Sequence, residues 1–367
     1  MAYFHKEPKF EHGQQPKIGI LLSNLGTPDA PNKKALRKYL QQFLMDRRVV
    51  EIPRFIWCWI LHCIILVFRP SASAKKYQSI WTKEGSPLKV NLSKQTAALR
   101  NIILKTTKQP IVIVYGMSYG SPSIAKAVET LKAEGCTKVL FFPLYPQYAS
   151  SSSGAALDAL FKKLIKTRNI PEIRIIRNYH DNPNYIKSLK ETVLQFWKKN
   201  GKPQKLVISF HGTPVKSLYD GDPYHCECLK TGRLLAESLK LKDSEYIICF
   251  QSRFGNAKWL QPYFANTIAQ LAKDKIENVN VICPGFSSDC LETLEEINIE
   301  GKNIFIENGG KKYSYIPALN DNKLWIETMW NLCQDHLQGW LIKNYNVKTE
   351  KNNNIKTLNE YKKVKSK

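Results

Sequence analysis

Residues 205–214, KLVISFHGTP, decide how the chain is read. From Leu206 to Phe210 only Ser209 is polar. A run without polar alternation suits a strand covered on both faces, as in a parallel sheet between helices. It runs directly into His211, and Gly212-Thr213-Pro214 stop it. In open α/β sheets ligands bind at the carboxyl ends of strands. Of the seven histidines, His211 alone is delivered by an apolar run into a turn. Taken by itself the segment fits equally well a histidine that merely caps a strand.

Further apolar runs lie on both sides. KIGILLSN (17–24), IVIVYG (111–116), KVLFFPLY (138–145) and EIRIIR (172–177) form a first set; KLVISFH (205–211), EYIICFQS (245–252) and NVNVICPG (278–285) form a second. Between them, segments such as SPSIAKAVETLKAEG (121–135) have helical spacing and a serine start. Such alternation predicts an α/β fold of two similar lobes, each a parallel sheet flanked by helices, with a cleft between them. The lobes are expected over 16–177 and 178–335, joined near the turn formers NYHDNPN (178–184). The tail 343–367 has eight Lys, two Glu and few apolar residues, and is expected to be disordered or a frayed helix.

Composition narrows the partners. The 55 Lys+Arg against 31 Asp+Glu give +24, which suits nucleic acid, an anionic membrane surface or an anionic substrate. A lysine-rich genome would also produce it. With no nucleic-acid-binding motif, nucleic acid ranks last. Nine cysteines without a regular framework predict free thiols in a reducing compartment. The polar first fifteen residues predict no secretory signal. Residues 55–68, FIWCWILHCIILVF, are too short to cross a bilayer, which takes about 20 apolar residues. Bracketed by Arg54 and Arg69, with Trp57 and Trp59 near one end, they read as a core helix or an interfacial one. No polar face is present, as a surface helix packed on a core should show. Neither a dinucleotide nor a P-loop glycine pattern occurs, and no Gly-x-Ser-x-Gly elbow.

A second segment, CPGFSSDCLETLEEI (283–297), leaves a strand end and enters a helix. Ser287, Ser288 and Asp289 are good N-cap residues. Glu292, Glu296 and Glu300 then recur every fourth residue, which on a helix puts them along one face. A solvated acidic face near a helix N-terminus is the ordinary account of such spacing. Glu292, though, falls close to a strand end. An imidazole and a carboxylate facing one cleft can bind Fe²⁺ or accept protons from a substrate N–H. The trio His225, Cys226 and Cys228 is spaced too closely for a zinc knuckle, so no metal is expected there, and Cys290 reads as a small buried thiol.

The motifs GILLSNLGTPDAP, YLQQFLMDRRVVEIPR, GMSYGSPS, FPLYPQY, SFHGTP, FQSRFG, W-L-x-P-Y and CPGFSSDCLETLEEI together resemble the ferrochelatase family of proteobacterial type, in order, from about 17 to about 334. The resemblance implies a chelatase-like fold of two Rossmann-like lobes around a porphyrin cleft. It implies insertion of Fe²⁺ into protoporphyrin IX to form protohaem, the terminal step of haem biosynthesis. His211 and Glu292 would bind metal and accept pyrrole protons. Glu296 and Glu300 would guide metal or protons, and Leu25 and Tyr119 would line the porphyrin pocket. Cys290 stands where many relatives have histidine. Iron is a substrate, and no prosthetic cofactor is implied. No [2Fe–2S] cluster is expected, because Ser150 replaces the cysteine that cluster-bearing relatives place after P-Q-Y, and 343–367 lacks cysteine. Residues 52–70 fall where the family has a hydrophobic lip at the cleft mouth. The expected setting is cytoplasmic, peripheral on the inner membrane, as a monomer or weak homodimer without nucleic acid. A non-catalytic porphyrin or metal carrier, and coproporphyrin III as substrate, are the alternatives.

Overall fold

Each set of apolar runs closes into a four-stranded, all-parallel sheet. The structure, a computed structural model, describes residues 3–8, 14–253, 255, 257–342 and 345–365. In the first lobe β1 (Lys17–Gly26) leads through α1 (Lys33–Leu44), α2 (Arg54–Ile60), α3 (Leu66–Ile80) and α4 (Pro87–Thr106) to β2 (Ile111–Tyr119). It continues with α5 (Ile124–Ala133), β3 (Cys136–Pro143), a wide π-type turn (Ser150–Gly154), α6 (Ala155–Ile165) and β4 (Glu172–Ile175). Helix α7 (Pro183–Asn200) crosses to the second lobe. There β5 (Lys205–His211), α8 (Val215–Tyr219), α9 (Tyr224–Ser238), β6 (Tyr246–Gln251), α10 (Phe264–Lys273) and β7 (Asn278–Ile282) follow. A π-type segment (Glu292–Glu300), α11 (Gly301–Glu307), β8 (Lys312–Tyr315), α12 (Lys323–His336) and α13 (Val347–Lys365) complete the chain.

The sheet orders are β2-β1-β3-β4 and β6-β5-β7-β8. In each, the first strand has neighbours on both sides, so the chain changes direction beside the ends of β1 and β5. Crevices at such switch points are where α/β sheets bind ligands. Strand β8, KYSY, is an addition to the three strands read in the second lobe; it is short and half polar, so it lacks an apolar run.

One hydrophobic core runs through both lobes. Ile20 and Leu22 of β1, Ile208 and Phe210 of β5, and Trp325 and Trp330 of α12 all belong to it. Helix α12 packs on α4 and α7. Beyond α12 the chain returns to the first lobe, where Trp340 Nε1 donates to Glu172 at 2.8 Å and Arg174 lies over the Trp340 ring at 4.3 Å. The basic tail is helical as α13 rather than disordered; 345–365 contains neither Pro nor Gly to interrupt it. Residues 343, 344, 366 and 367 of that tail lie outside the described residues.

The apolar stretch read over 55–68 is part of a longer helical segment, Arg54–Ile80. Its inward face buries Trp57, Leu61, Leu66, Ala74 and Tyr77. Its outward face is apolar too, with Phe55, Trp59 and Phe68 exposed by 76%, 74% and 72%, which explains the missing polar face. The two tryptophans therefore part company: Trp57 is a core residue whose Nε1 donates to Leu44 O at 2.7 Å, and only Trp59 faces outward. Pro70 sits inside α3 without breaking it. The missing N–H of Pro70 frees the carbonyl four residues earlier, and Arg37 Nη1 donates to that oxygen, Leu66 O, at 2.6 Å.

Candidate active site between the lobes

His211 ends β5 opposite Gln251 of β6. Its Nδ1 lies 2.7 Å from Gly212 O. A carbonyl can only accept, so Nδ1 carries a proton, and in the neutral imidazole this leaves the lone pair on Nε2. Gly212 is required at this turn. Its N–H donates to Gln251 O at 2.7 Å, and a Cβ built there would meet the same oxygen at 2.7 Å.

The approach to Glu292 is anchored more firmly than a solvated cap would be. Asp289 is buried, and its Oδ1 accepts from Tyr315 OH at 2.7 Å and Thr293 Oγ1 at 3.0 Å. Asn320 Nδ2 donates to its Oδ2 at 2.7 Å. Ser287 Oγ donates to Leu144 O of the first lobe at 2.9 Å. Asp289 thus cross-links β8 to the turn, and Ser287 ties the turn to the opposite lobe. Ser287 and Ser288 make no side-chain cap on the following helix. That helix is π-wound over Glu292–Glu300, so its hydrogen bonds run to the fifth residue and its turns are wider than those of an α-helix. The even ladder expected at every fourth residue is therefore redistributed.

Glu296 shows where the carboxylates go. Its Oε1 accepts from Ser252 N at 2.7 Å and its Oε2 from the Ser252 hydroxyl. Its carboxyl is raised above the ordinary range, by burial first; the Ser252 hydrogen bonds and the attraction of His211 oppose the rise, and the charge of Glu292 adds to it. Gln251, paired with His211, donates from Nε2 to Glu292 O at 3.3 Å and to Glu296 Oε2 at 3.5 Å, so the end of β5 and the start of the π-type segment adjoin. Glu300 is directed elsewhere, to Lys76 at 2.7 Å.

Glu292 also faces the first lobe. Tyr39, Tyr77 and Tyr145 are pushed up by burial first, and the charge of Glu292 adds to the rise in each. The Cys290 thiol is raised in the same way. Arg69 is lowered by burial, while Glu292 and Tyr39 hold its charge. Sequence spacing does not single out Tyr39, Tyr77, Tyr145 or Ser252, because they come from α1, α3 and loops distant in the chain.

Leu25 and Tyr119 share a hydrophobic cluster with the buried face of the lip and with Leu291, the neighbour of Glu292. Tyr119 OH donates to Asp46 Oδ2 at 2.9 Å, and its ring meets Phe43 edge-on at 5.2 Å. The sequence-derived set is therefore brought to one region, apart from Glu300 at its outer end. Ser150 is a strut between lobes: its N–H donates to Asp222 at 2.7 Å and its hydroxyl accepts from Arg48 Nη1 at 3.1 Å. Cys226 is exposed and Cys228 buried, as residues two apart on a helix must be, so with His225 they do not converge. Among the described residues no three His, Cys, Asp or Glu side chains group closely enough to hold a metal by themselves. A cavity of about 330 Å³ lies between α4, β2 and α5, lined by Arg100, Tyr115 and Lys126 among others, and includes none of the site residues.

The family model for ferrochelatase matches residues 17–337. The chain belongs to the ferrochelatase family. It is 56% identical over 334 residues to the ferrochelatase of Nitrosomonas europaea, covering 91% of this chain and 92% of that protein. It is 54% identical over 341 residues to that of Methylobacillus flagellatus, covering 93% and 99%. Among solved structures, SirB from Bacillus subtilis with Fe³⁺ superposes with a TM-score of 0.51 at 13% identity, over 87% of this chain and 95% of that one. At such low identity that likeness shows the fold alone. The family supplies the porphyrin and ferrous iron chemistry that the strand-end histidine and carboxylates suggest.

Proposed function

We infer that the chain performs the reaction of its family, insertion of Fe²⁺ into protoporphyrin IX, in the cleft between the lobes. In our reading His211 and Glu292 bind the entering metal and accept the pyrrole protons. The observation that supports this is Gln251, which pairs with His211 across β5 and β6 and whose Nε2 donates to Glu292 O at 3.3 Å and to Glu296 Oε2 at 3.5 Å.

Two obstacles slow metal insertion. The ring nitrogens point at the ring centre, and two of them carry protons. Bending the ring tips a lone pair out of plane; binding energy elsewhere in the cleft can support such strain, about 1–5 kcal/mol. Leu25 and Tyr119 supply apolar wall for a ring face. As iron enters, two N–H bonds break, all four ring nitrogens bond to the metal, and two protons leave. Nε2 of His211 is free to take one because Nδ1 is committed to Gly212 O. Glu292 takes the other. Glu296 and Glu300 continue outward from Glu292 and offer a path for cations inward or protons outward.

No [2Fe–2S] cluster belongs to this reading, since Ser150 stands at the position where a cysteine would be needed. The exposed apolar face of Arg54–Ile80 supports a cytoplasmic enzyme resting on the inner membrane.

Anaerobic absorbance with protoporphyrin and ferrous iron tests the assignment. His211→Ala should lose insertion while still binding the ring. Insertion at the wild-type rate by that variant would overturn the role of His211, and ring binding without turnover by the wild type would favour a carrier.

A further inference from the structure

The cavity between α4, β2 and α5 opens along a sheet edge. Strand β2 is the last in its sheet, with β1 on one side and no strand on the other. In a parallel ladder alternate residues turn both main-chain groups to the same neighbour. Ile18 N donates to Pro110 O, which directs Val112, Val114 and Gly116 towards β1 and turns Ile113, Tyr115 and Met117 outward. Two of these outward groups are taken. Arg100 of α4 donates from Nη2 to Ile113 O at 3.0 Å, and Met117 N donates to Pro122 O at 2.8 Å. Among the described residues the N–H of Ile113 and both main-chain groups of Tyr115 make no hydrogen bond. Met117 also bridges Ser123 in the parallel sense, so the chain itself starts a further strand there and leaves it after one step, where α5 begins.

The floor of the cavity is thus an unfinished ladder. Its walls are low, with Ser93 and Ala97 on α4 and Ala127 and Thr130 on α5. Ser93, Ala97 and Thr130 are exposed, and side chains this small let another main chain come down to β2. The cavity measures about 330 Å³. From Ile113 to Tyr115 a strand runs about 7 Å, at about 3.3 Å per residue. Two or three residues of an added strand would complete the pairing. The rim is cationic. Arg100 uses one nitrogen on Ile113 O and is otherwise exposed. Lys126 is 68% exposed and lies 3.4 Å from Glu129, which Lys163 also holds at 2.7 Å. Three cations against one carboxylate leave +2. A rim of that sign favours an acidic chain and repels a basic one.

We propose that the edge of β2 is a docking groove for an extended acidic segment of a partner protein, which adds a strand beside Ile113 and Tyr115 and sets its carboxylates against Arg100 and Lys126. In such strand addition main-chain pairing supplies the affinity, and the flanking side chains select the partner. None of the candidate active-site residues lines the groove, so docking and iron insertion are separately measurable.

Fluorescence anisotropy with labelled hexapeptides that alternate valine and glutamate, in both registers, tests the proposal. These peptides should bind the full chain, and a peptide alternating valine and lysine should not. Lys126→Glu should weaken binding by about tenfold or more. Methylating the peptide nitrogens, which removes the main-chain donors and keeps the carboxylates, should weaken it as much. Ala97→Trp fills the groove from an exposed helix position and should abolish binding. Each variant should keep the wild-type rate of iron insertion, which reports that it folds. Hydrogen exchange supplies a readout that charge attraction alone would not move: the amides of Ile113 and Tyr115 should exchange fast in the free chain and slowly with peptide bound. No binding by either glutamate peptide overturns the proposal. Equal binding of the lysine peptide overturns it too, as does undiminished binding by Ala97→Trp. Equal binding of the methylated peptide would make the rim a plain anion patch, and dimers of the free chain that Ala97→Trp separates would make a second copy the occupant; either result overturns the proposal. Should Ala97→Trp not fold, Lys126→Glu decides, since unweakened binding there overturns it as well.

Discussion

The two lobes are built alike and equipped differently. Their sheets share one strand order. Strand β1 leaves its sheet as Ser23-Asn24-Leu25-Gly26-Thr27-Pro28, and β5 as Ser209-Phe210-His211-Gly212-Thr213-Pro214. A π-type turn follows the third strand in both, Ser150–Gly154 in one and Glu292–Glu300 in the other. Each lobe's last crossing helix starts from a capping asparagine, Asn182 or Asn322. At the position of His211 the first lobe has Leu25, and its π-type turn is serine and glycine where the second lobe's is acidic. A flat apolar ring with protons at its centre needs a greasy wall on one side and bases on the other. In the proposed mechanism, repetition of one framework supplies both walls, and one copy alone carries the bases.

Exchanging the two turns gives the largest expected effect. His211→Leu copies the first lobe's turn into the second and should lower kcat for iron insertion by at least about 100-fold, the usual scale for losing a general base. Leu25→His added to that variant should not restore activity, because no acidic segment faces Leu25's strand end from its own lobe. Recovery in the double variant would break the comparison. A second difference is the lip, which occupies the connection between β1 and β2 and has only the short helix α8 at the matching place in the second lobe. Trp59→Asp with Phe68→Asp should weaken co-sedimentation with anionic vesicles by about tenfold or more, from the apolar area no longer buried, and leave soluble turnover intact. Undiminished sedimentation would remove the lip from the membrane. The smallest effect concerns how the first lobe's π-type turn is held. Arg48 pairs with Asp158 through Nε at 2.8 Å and lowers its carboxyl below 3.8, chiefly through that hydrogen bond. A lowered acid stabilises the fold above its unfolded value and loses that contribution as pH falls through the folded value. Asp158→Asn should therefore reduce the melting temperature slightly at neutral pH, and the difference should disappear as pH falls through the lowered folded value of Asp158. A deficit that persists in acid would mean the pair acts through packing.

Much of this was legible in the sequence for identifiable reasons. Among the described residues seven of the eight strands carry apolar runs, and β8 does not. His211 stood out because a buried strand delivers it to a turn. The apolar run ends at Phe68, while the helix continues to Ile80 past Pro70, where Arg37 takes up the Leu66 carbonyl that the proline leaves free. The π winding left no mark in the spacing of the glutamates. Its consequences, Glu296 turned to Ser252 and Glu300 to Lys76, depended on partners from other elements. The three tyrosines that feel the charge of Glu292 were equally hidden, since Tyr39, Tyr77 and Tyr145 come from α1, α3 and the loop after β3.

The core that threads both sheets through α12 also limits how the enzyme breathes. A jaw hinged between lobes would have to pull Trp325 and Trp330 out of shared packing each time it opened. Opening at the Arg54–Ile80 segment would leave that shared core intact, at the cost of the segment's own buried face, Trp57, Leu61, Leu66, Ala74 and Tyr77. A macrocycle admitted at that margin would leave the frame closed, and amide exchange should then be faster along Arg54–Ile80 than in the two sheets, which stay protected together.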